Sequence, residues 1–173
     1  MSNGDNTNWG KLFSFRAMRE LAAYLTSYNM ANQTVALDAN AQDLQTTGTG
    51  SCMIDGVFIP SLAADDPWDW SAESAGDLVG ETLADGYDQY IAILAKADGS
   101  LEVFAAGDPA LVGTAVLKIP AFDPATYCLI ALALVVNDSG GGIVWGTTAL
   151  TGDITFYPVT GPVFPHIDNL DKN

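Results

Sequence analysis

The chain has 173 residues, a length that fits one domain with an appendage or two very small domains. Its 21 acidic residues against 6 Lys plus Arg leave a net charge of −15, while nearly half of all residues are apolar. That balance excludes a disordered tail, and it excludes partners that need a basic surface, namely nucleic acid and anionic membrane.

The opening Met1-Ser-Asn-Gly-Asp5 has neither the basic region nor the apolar core of a signal peptide. The longest apolar run, Cys128–Val136, is about half of a membrane span. Synthesis in the cytoplasm and a soluble product are therefore expected.

In chain order, the first element is an amphipathic helix. Leu12, Phe15, Met18, Leu21, Ala22, Leu25 and Tyr28 recur at spacings of three and four and make one apolar stripe. Asn6, Thr7 and Asn8 offer N-caps, and Asn29 offers a stop. Lys11, Arg16 and Arg19 concentrate basic charge here, since the next Lys or Arg is Lys96. The stripe must pack on the chain's own sheet, on another copy, or on another protein. From Asn29 to Gly50 the composition reads as an extended arm with one short strand at Thr34–Asp38. The expected division is residues 1–50 as helix and extended arm, a candidate docking or oligomerisation unit, and residues 51–173 as the β domain with its acidic loop 61–86.

That domain opens with Cys52–Pro60, two strand pieces about an Asp55-Gly56 turn. Residues 61–86 are acidic and turn-rich and read as a surface loop with at most a short helical turn. Tyr90–Ala95 and Leu101–Ala105 flank Asp98-Gly99, a hairpin signal. A strand at Ala115–Ile119 is expected to stop at Pro120. Tyr127–Val136 is nearly all apolar, as in a central strand buried on both faces. Ile143–Trp145 follows a Gly-rich loop, and Asp153–Tyr157 is the last expected strand, because Pro158, Pro162 and Pro165 oppose further pairing. Many short strands, frequent turns and one helix predict a mainly β chain, a β-sandwich or jelly-roll-like domain with an N-terminal amphipathic helix and extended arm.

Chemistry is hard to assemble from these residues. The single histidine, His166, lies in a Pro-rich tail, and no GxSxG nucleophile elbow is present. Cys52 and Cys128 lack CxxC spacing and sit in strand-like apolar runs, so buried free thiols are expected rather than a metal or redox motif. Glycoside hydrolysis needs two carboxylates, yet Glu20, Glu73, Glu81 and Glu102 include no pair that stands out. Asp65, Asp66 and Asp69 could contribute oxygen ligands to Ca²⁺, but Pro67 interrupts them and a solvated acidic loop is the simpler reading. No enzymatic activity, cofactor or metal is expected. Trp68, Trp70 and Trp145 are candidate surface aromatics for a partner or a sugar ring.

The β block also resembles something known. Tyr90–Gly107 is an apolar strand, an Asp-Gly turn and a second strand closing on Gly. Leu117–Pro120, Ala131–Val136, Val144–Leu150, Ile154–Tyr157 and a closing Pro follow in order. This succession, over about residues 80–165, is similar to small virion proteins of tailed bacteriophages. Two features depart from that pattern: the Cys128–Val136 strand lacks Gly, and the Asp-rich 61–86 segment has no counterpart. The resemblance implies a capsid decoration (cement) or head-fibre protein, often a homotrimer, bound to the major capsid protein on the outer surface of the head. It carries no catalytic residues. In that setting Lys11, Leu12, Phe15, Arg16, Arg19, Leu21 and Leu25 are the expected capsid or self contacts. The alternative is a carbohydrate- or receptor-binding module of a head or tail fibre, with Trp68, Trp70 and Trp145 exposed to glycan.

Overall fold

The computed structural model describes residues 22, 24–30, 34–37, 43–47, 50–62, 68–69, 78, 80–138, 140–145, 148, 150 and 153–163. The described residues are mainly β. They comprise a helical segment ending at Thr26 and 14 strands. In order these are β1 (Tyr28–Asn29), β2 (Thr34–Leu37), β3 (Asp43–Thr47), β4 (Gly50–Ile54), β5 (Val57–Leu62), β6 (Trp68–Asp69), β7 (Thr82–Leu83) and β8 (Tyr87–Lys96). They continue with β9 (Leu101–Ala105), β10 (Ala110–Leu111), β11 (Tyr127–Asn137), β12 (Ile143–Val144), β13 (Asp153–Pro158) and β14 (Gly161–Pro162).

Two hairpins form where the turn chemistry demands them. Asp55 and Gly56 both adopt positive φ, 49° and 74°, which is the twist that matches a two-residue hairpin joining Ile54 to Val57. At the β8–β9 turn, Gly99 has φ 86°, and the Asp98 carboxylate accepts from the Ser100 amide at 2.9 Å and from its hydroxyl at 2.6 Å. Local residues alone account for both turns.

The centre of the molecule is an antiparallel sheet in which β11 pairs with β8 on one side and β13 on the other. The opposite edge of β8 is shared, with β9 along Ile91–Ala95 and β10 along Tyr87–Asp88. Continuous apolar sequence suits β8 and β11 because both faces of this sheet are covered. Ile91, Ile93, Val103, Cys128, Ile130 and Ala133 enter one core with Cys52, Ile54 and Leu62 of the β4–β5 hairpin. Ala92, Leu94, Leu129 and Leu132 face the other way, under Tyr24 and Phe122. Tyr24 donates to the Phe122 carbonyl at 2.7 Å, and the two rings stack edge to face at 5.3 Å.

A bulge makes this two-sided packing work. Leu129 pairs with Leu94 but Ala131 pairs with Ile93, so Ile130 is an extra residue in β11. Both Ile130 and Ala131 consequently join the same core, and the alternation on either side of them stays in phase with β8. The Ile130 carbonyl accepts from the Val159 amide at 3.1 Å and from Asn29 Nδ2 at 3.5 Å. Asn29 Nδ2 also donates to the Val159 carbonyl at 2.7 Å. One buried amide therefore ties β1, the bulge and the segment after β13 together.

Several sequence expectations need correction. The helix ends at Thr26, and Tyr28 belongs to β1, held between β4 and β14. Residues 43–47, read as arm, form β3 and pair with β2. The 61–86 segment is not simply a loop: β5 extends to Leu62, β6 pairs with β3, β7 pairs with β12, and Leu78 and Leu83 are buried. Ala115–Ile119 is not a strand, since its backbone is held by single contacts rather than a ladder. Pro162, expected to oppose pairing, sits in β14, a two-residue edge strand where a missing donor is tolerated.

Candidate interaction surface

The feature most in need of explanation is a chain segment that is firmly held yet exposes its apolar side chains. It runs from Gly107 through β10 to Phe122. Its start is fixed by Gln89, buried in β8, whose Nε2 donates to the Gly107 carbonyl at 3.1 Å. Gly107 has φ 146°, and a Cβ there would lie 2.3 Å from the Val116 carbonyl oxygen, so only glycine lets the two passes of chain approach this closely.

Asp88 holds the middle. Its side chain is buried, and its two oxygens accept from the Gly113 amide at 2.6 Å and the Ala115 amide at 3.2 Å. The Val112 amide bonds the Gly86 carbonyl at 3.1 Å, and the Lys118 amide bonds the Ala106 carbonyl at 2.7 Å. Between these anchors Leu111, Val112, Val116 and Leu117 stand 61, 48, 64 and 38% exposed. Four large apolar side chains held in water by a fixed backbone make a contact surface whose ordering cost is already met.

A second apolar area crosses the four-stranded sheet. The inward residues of β4 are Gly50, Cys52 and Ile54, so Met53 points outward. Register places Pro162, Tyr28, Met53 and Phe58 in one row across β14, β1, β4 and β5. Phe58 is 53% exposed, and Val57, Leu25 and Met30 nearby in the chain path are also exposed. The helix end is tied to this hairpin, because the Thr26 carbonyl accepts from the Gly56 amide and the Ser27 hydroxyl from the Asp55 amide.

Charge around these surfaces is one-sided. The two described lysines are both engaged: Lys96 contacts Glu102 at 2.6 Å and Lys118 contacts Asp108 at 3.4 Å. Glu102, the strand carboxylate considered for acid–base work, also accepts from the Tyr127 hydroxyl at 3.0 Å. The hydrogen bond to Glu102 raises Lys96 above its ordinary 10.5, and burial together with Glu102 raises Tyr127 above 10.0. Glu102 thus serves an ion pair at the turn end of the β8–β9 hairpin.

A small cleft of about 220 Å³ lies beside Gly107, lined by Glu81, Thr82, Gln89, Asp108 and Trp145 among others. Among the described residues no three His, Cys, Asp or Glu side chains gather as a metal-binding group.

Of the sequence-derived contact residues, Leu25 is half exposed, and Lys11, Leu12, Phe15, Arg16, Arg19 and Leu21 lie outside the described residues. Trp68 is in β6, with only its backbone described, and Trp70, Asp65, Asp66 and His166 lie outside. Trp145 is a correction: at 1% exposure it is a core residue, its amide bonded to the Glu81 carbonyl, and not a surface aromatic. The sequence does not mark the 111–117 surface, because Val116 and Leu117 read as part of a strand at Ala115–Ile119 and Leu111 and Val112 belong to no predicted element. The signals that could have found it are Gly107, which precedes it, and Gly113, which interrupts it.

Comparison with family models, with curated proteins and with solved structures finds no match to this chain.

Proposed function

We propose that this chain is a non-enzymatic virion structural protein of the capsid decoration type, a β-sandwich or jelly-roll-like body that binds the outside of a phage head through the major capsid protein. The observation that carries the reading is the anchored segment 107–122, which presents Leu111, Val112, Val116 and Leu117 from an otherwise acidic chain. A decoration protein needs a stable body, an adhesive surface and an exterior that resists non-specific association. The two-sided core, this segment and the net charge of −15 meet those needs in turn. The order of strands and turns across residues 80–165, similar to phage virion proteins, supplies the setting.

In this reading the protein is a homotrimer, and the weak contacts of each copy add through avidity. The N-terminal residues Lys11, Arg16 and Arg19 face acidic capsid surface, while Leu111–Leu117 makes the apolar contact. The fibre-type alternative, a glycan-binding module, loses one of its three aromatics with the burial of Trp145.

The deciding experiment is quantitative mass spectrometry of purified virus particles from the source, counting copies of this chain per major capsid protein. A number comparable with the capsid protein supports decoration of the lattice. Absence from particles overturns the virion reading, and a few copies per particle replace decoration with a fibre.

A further inference from the structure

Independently of that function, the fold brings together two residues that the sequence keeps 76 positions apart, Cys52 on β4 and Cys128 on β11. Both are free thiols, both are fully buried, and both belong to the core shared by the central sheet and the β4–β5 hairpin. Asn29 shows how closely the two strands approach. It pairs with Cys52 across β1 and β4, so the two side chains leave the same face. From that face the Asn29 amide reaches the carbonyl of Ile130, two residues beyond Cys128. Cys128 Sγ donates to the Leu129 carbonyl at 3.8 Å, and the neighbouring Cys52 thiol together with burial pushes Cys128 well above the usual thiol range.

We propose that Cys52 and Cys128 are the site of an intersheet disulfide, formed by thiol–disulfide exchange with a small-molecule disulfide such as oxidised glutathione. One cysteine thiolate attacks the glutathione disulfide, releasing one glutathione and leaving a mixed disulfide on the protein. The second thiolate then attacks the protein sulfur and expels the second glutathione. Two protein thiols are oxidised, one glutathione disulfide is reduced to two thiols, and the two protons pass to the released glutathiones. Full burial in the native state places this exchange before the sheets close or during a local opening. Once formed, the bond closes a long loop and lies out of reach of reductants, the arrangement that stabilises most. Disulfides across facing β-sheets serve the same purpose in immunoglobulin domains.

The test uses the full chain, unfolded and refolded in a glutathione redox buffer, then assayed by intact mass, by thiol titration in denaturant and by peptide mapping. The expected product is a chain lighter by two hydrogens, with no titratable thiol and a linked Cys52–Cys128 peptide. Its Tm should rise by roughly 5–15 °C over the reduced chain, and dithiothreitol added in denaturant should abolish the gain. A refolded chain that keeps both thiols, carries only glutathione adducts or links only to other copies overturns the proposal. So does an intrachain bond that leaves Tm unchanged or lower. Virion copy number has no bearing on any of these outcomes, so the two proposals stand or fall separately.

Discussion

Gly107 shows how much a single position can control. Its backbone conformation suits glycine, and the space that a Cβ would take is filled by the Val116 carbonyl. Gly107→Ala should therefore destabilise the protein by roughly 2–4 kcal/mol, from strain plus overpacking, measured by urea unfolding. The same change should increase amide exchange at Gly113 and Ala115, held by Asp88 of β8, and at Lys118, held by the Ala106 carbonyl beside Gly107. A variant as stable as the parent would show that the two passes are not held together in solution. Glu102 gives a second residue-scale prediction, with a sign set by pH. Lys96 and Tyr127 are both raised, so the native state holds these protons more tightly than the unfolded chain does. Their contribution is complete below their ordinary values of 10.0 and 10.5 and is lost as pH rises through the raised ones. Glu102→Gln should cost about 0.5–1 kcal/mol at neutral pH, the range for a partly exposed pair. That cost should shrink towards zero in strongly alkaline buffer, as followed by Tm against pH.

Among the elements, β11 is the one on which the others depend. Its bulge at Ile130 keeps both faces in register, and the carbonyl freed there is taken by Asn29 and Val159. Asn29→Ala should remove a buried amide from three elements at once and cost about 1–3 kcal/mol, since the Val159 carbonyl loses this donor and the Ile130 carbonyl is left with the Val159 amide. Asn29→Ala with unchanged urea midpoint would mean that solvent reaches this junction. The exposed 111–117 part of the anchored segment behaves differently, because its apolar side chains add little to the fold. Val116→Ser and Leu117→Ser together should move stability by no more than about 0.5 kcal/mol, as exposed substitutions do, while particle binding weakens in a co-sedimentation assay with decoration-free heads. Retained binding would remove this segment from the proposed capsid contact. The hairpins at Asp55-Gly56 and Asp98-Gly99 were legible in the sequence because each turn states its own φ requirement locally. The short strands β3, β6, β7 and β14 were not, since two to five residues carry no periodicity and form only against a partner already in place.

For the whole molecule, the amino-acid sequence by itself determined that the chain is mainly β, that its centre is a strand buried on both faces, and where its two tight hairpins fall. Continuous apolar runs and Asp-Gly pairs express those features within a few residues. It also set the acidic balance, which follows from composition alone. Only the tertiary structure decided that Trp145 is a core residue, that the apolar 111–117 segment faces water, and that Cys52 and Cys128 share one core. Each of these depends on which strands become neighbours and in what register. A one-residue bulge at Ile130 changes which side of β11 a residue faces, and no local pattern records it. Burial and proximity are properties of the packed arrangement, whereas turn geometry and the preference for water or core belong to the residues themselves.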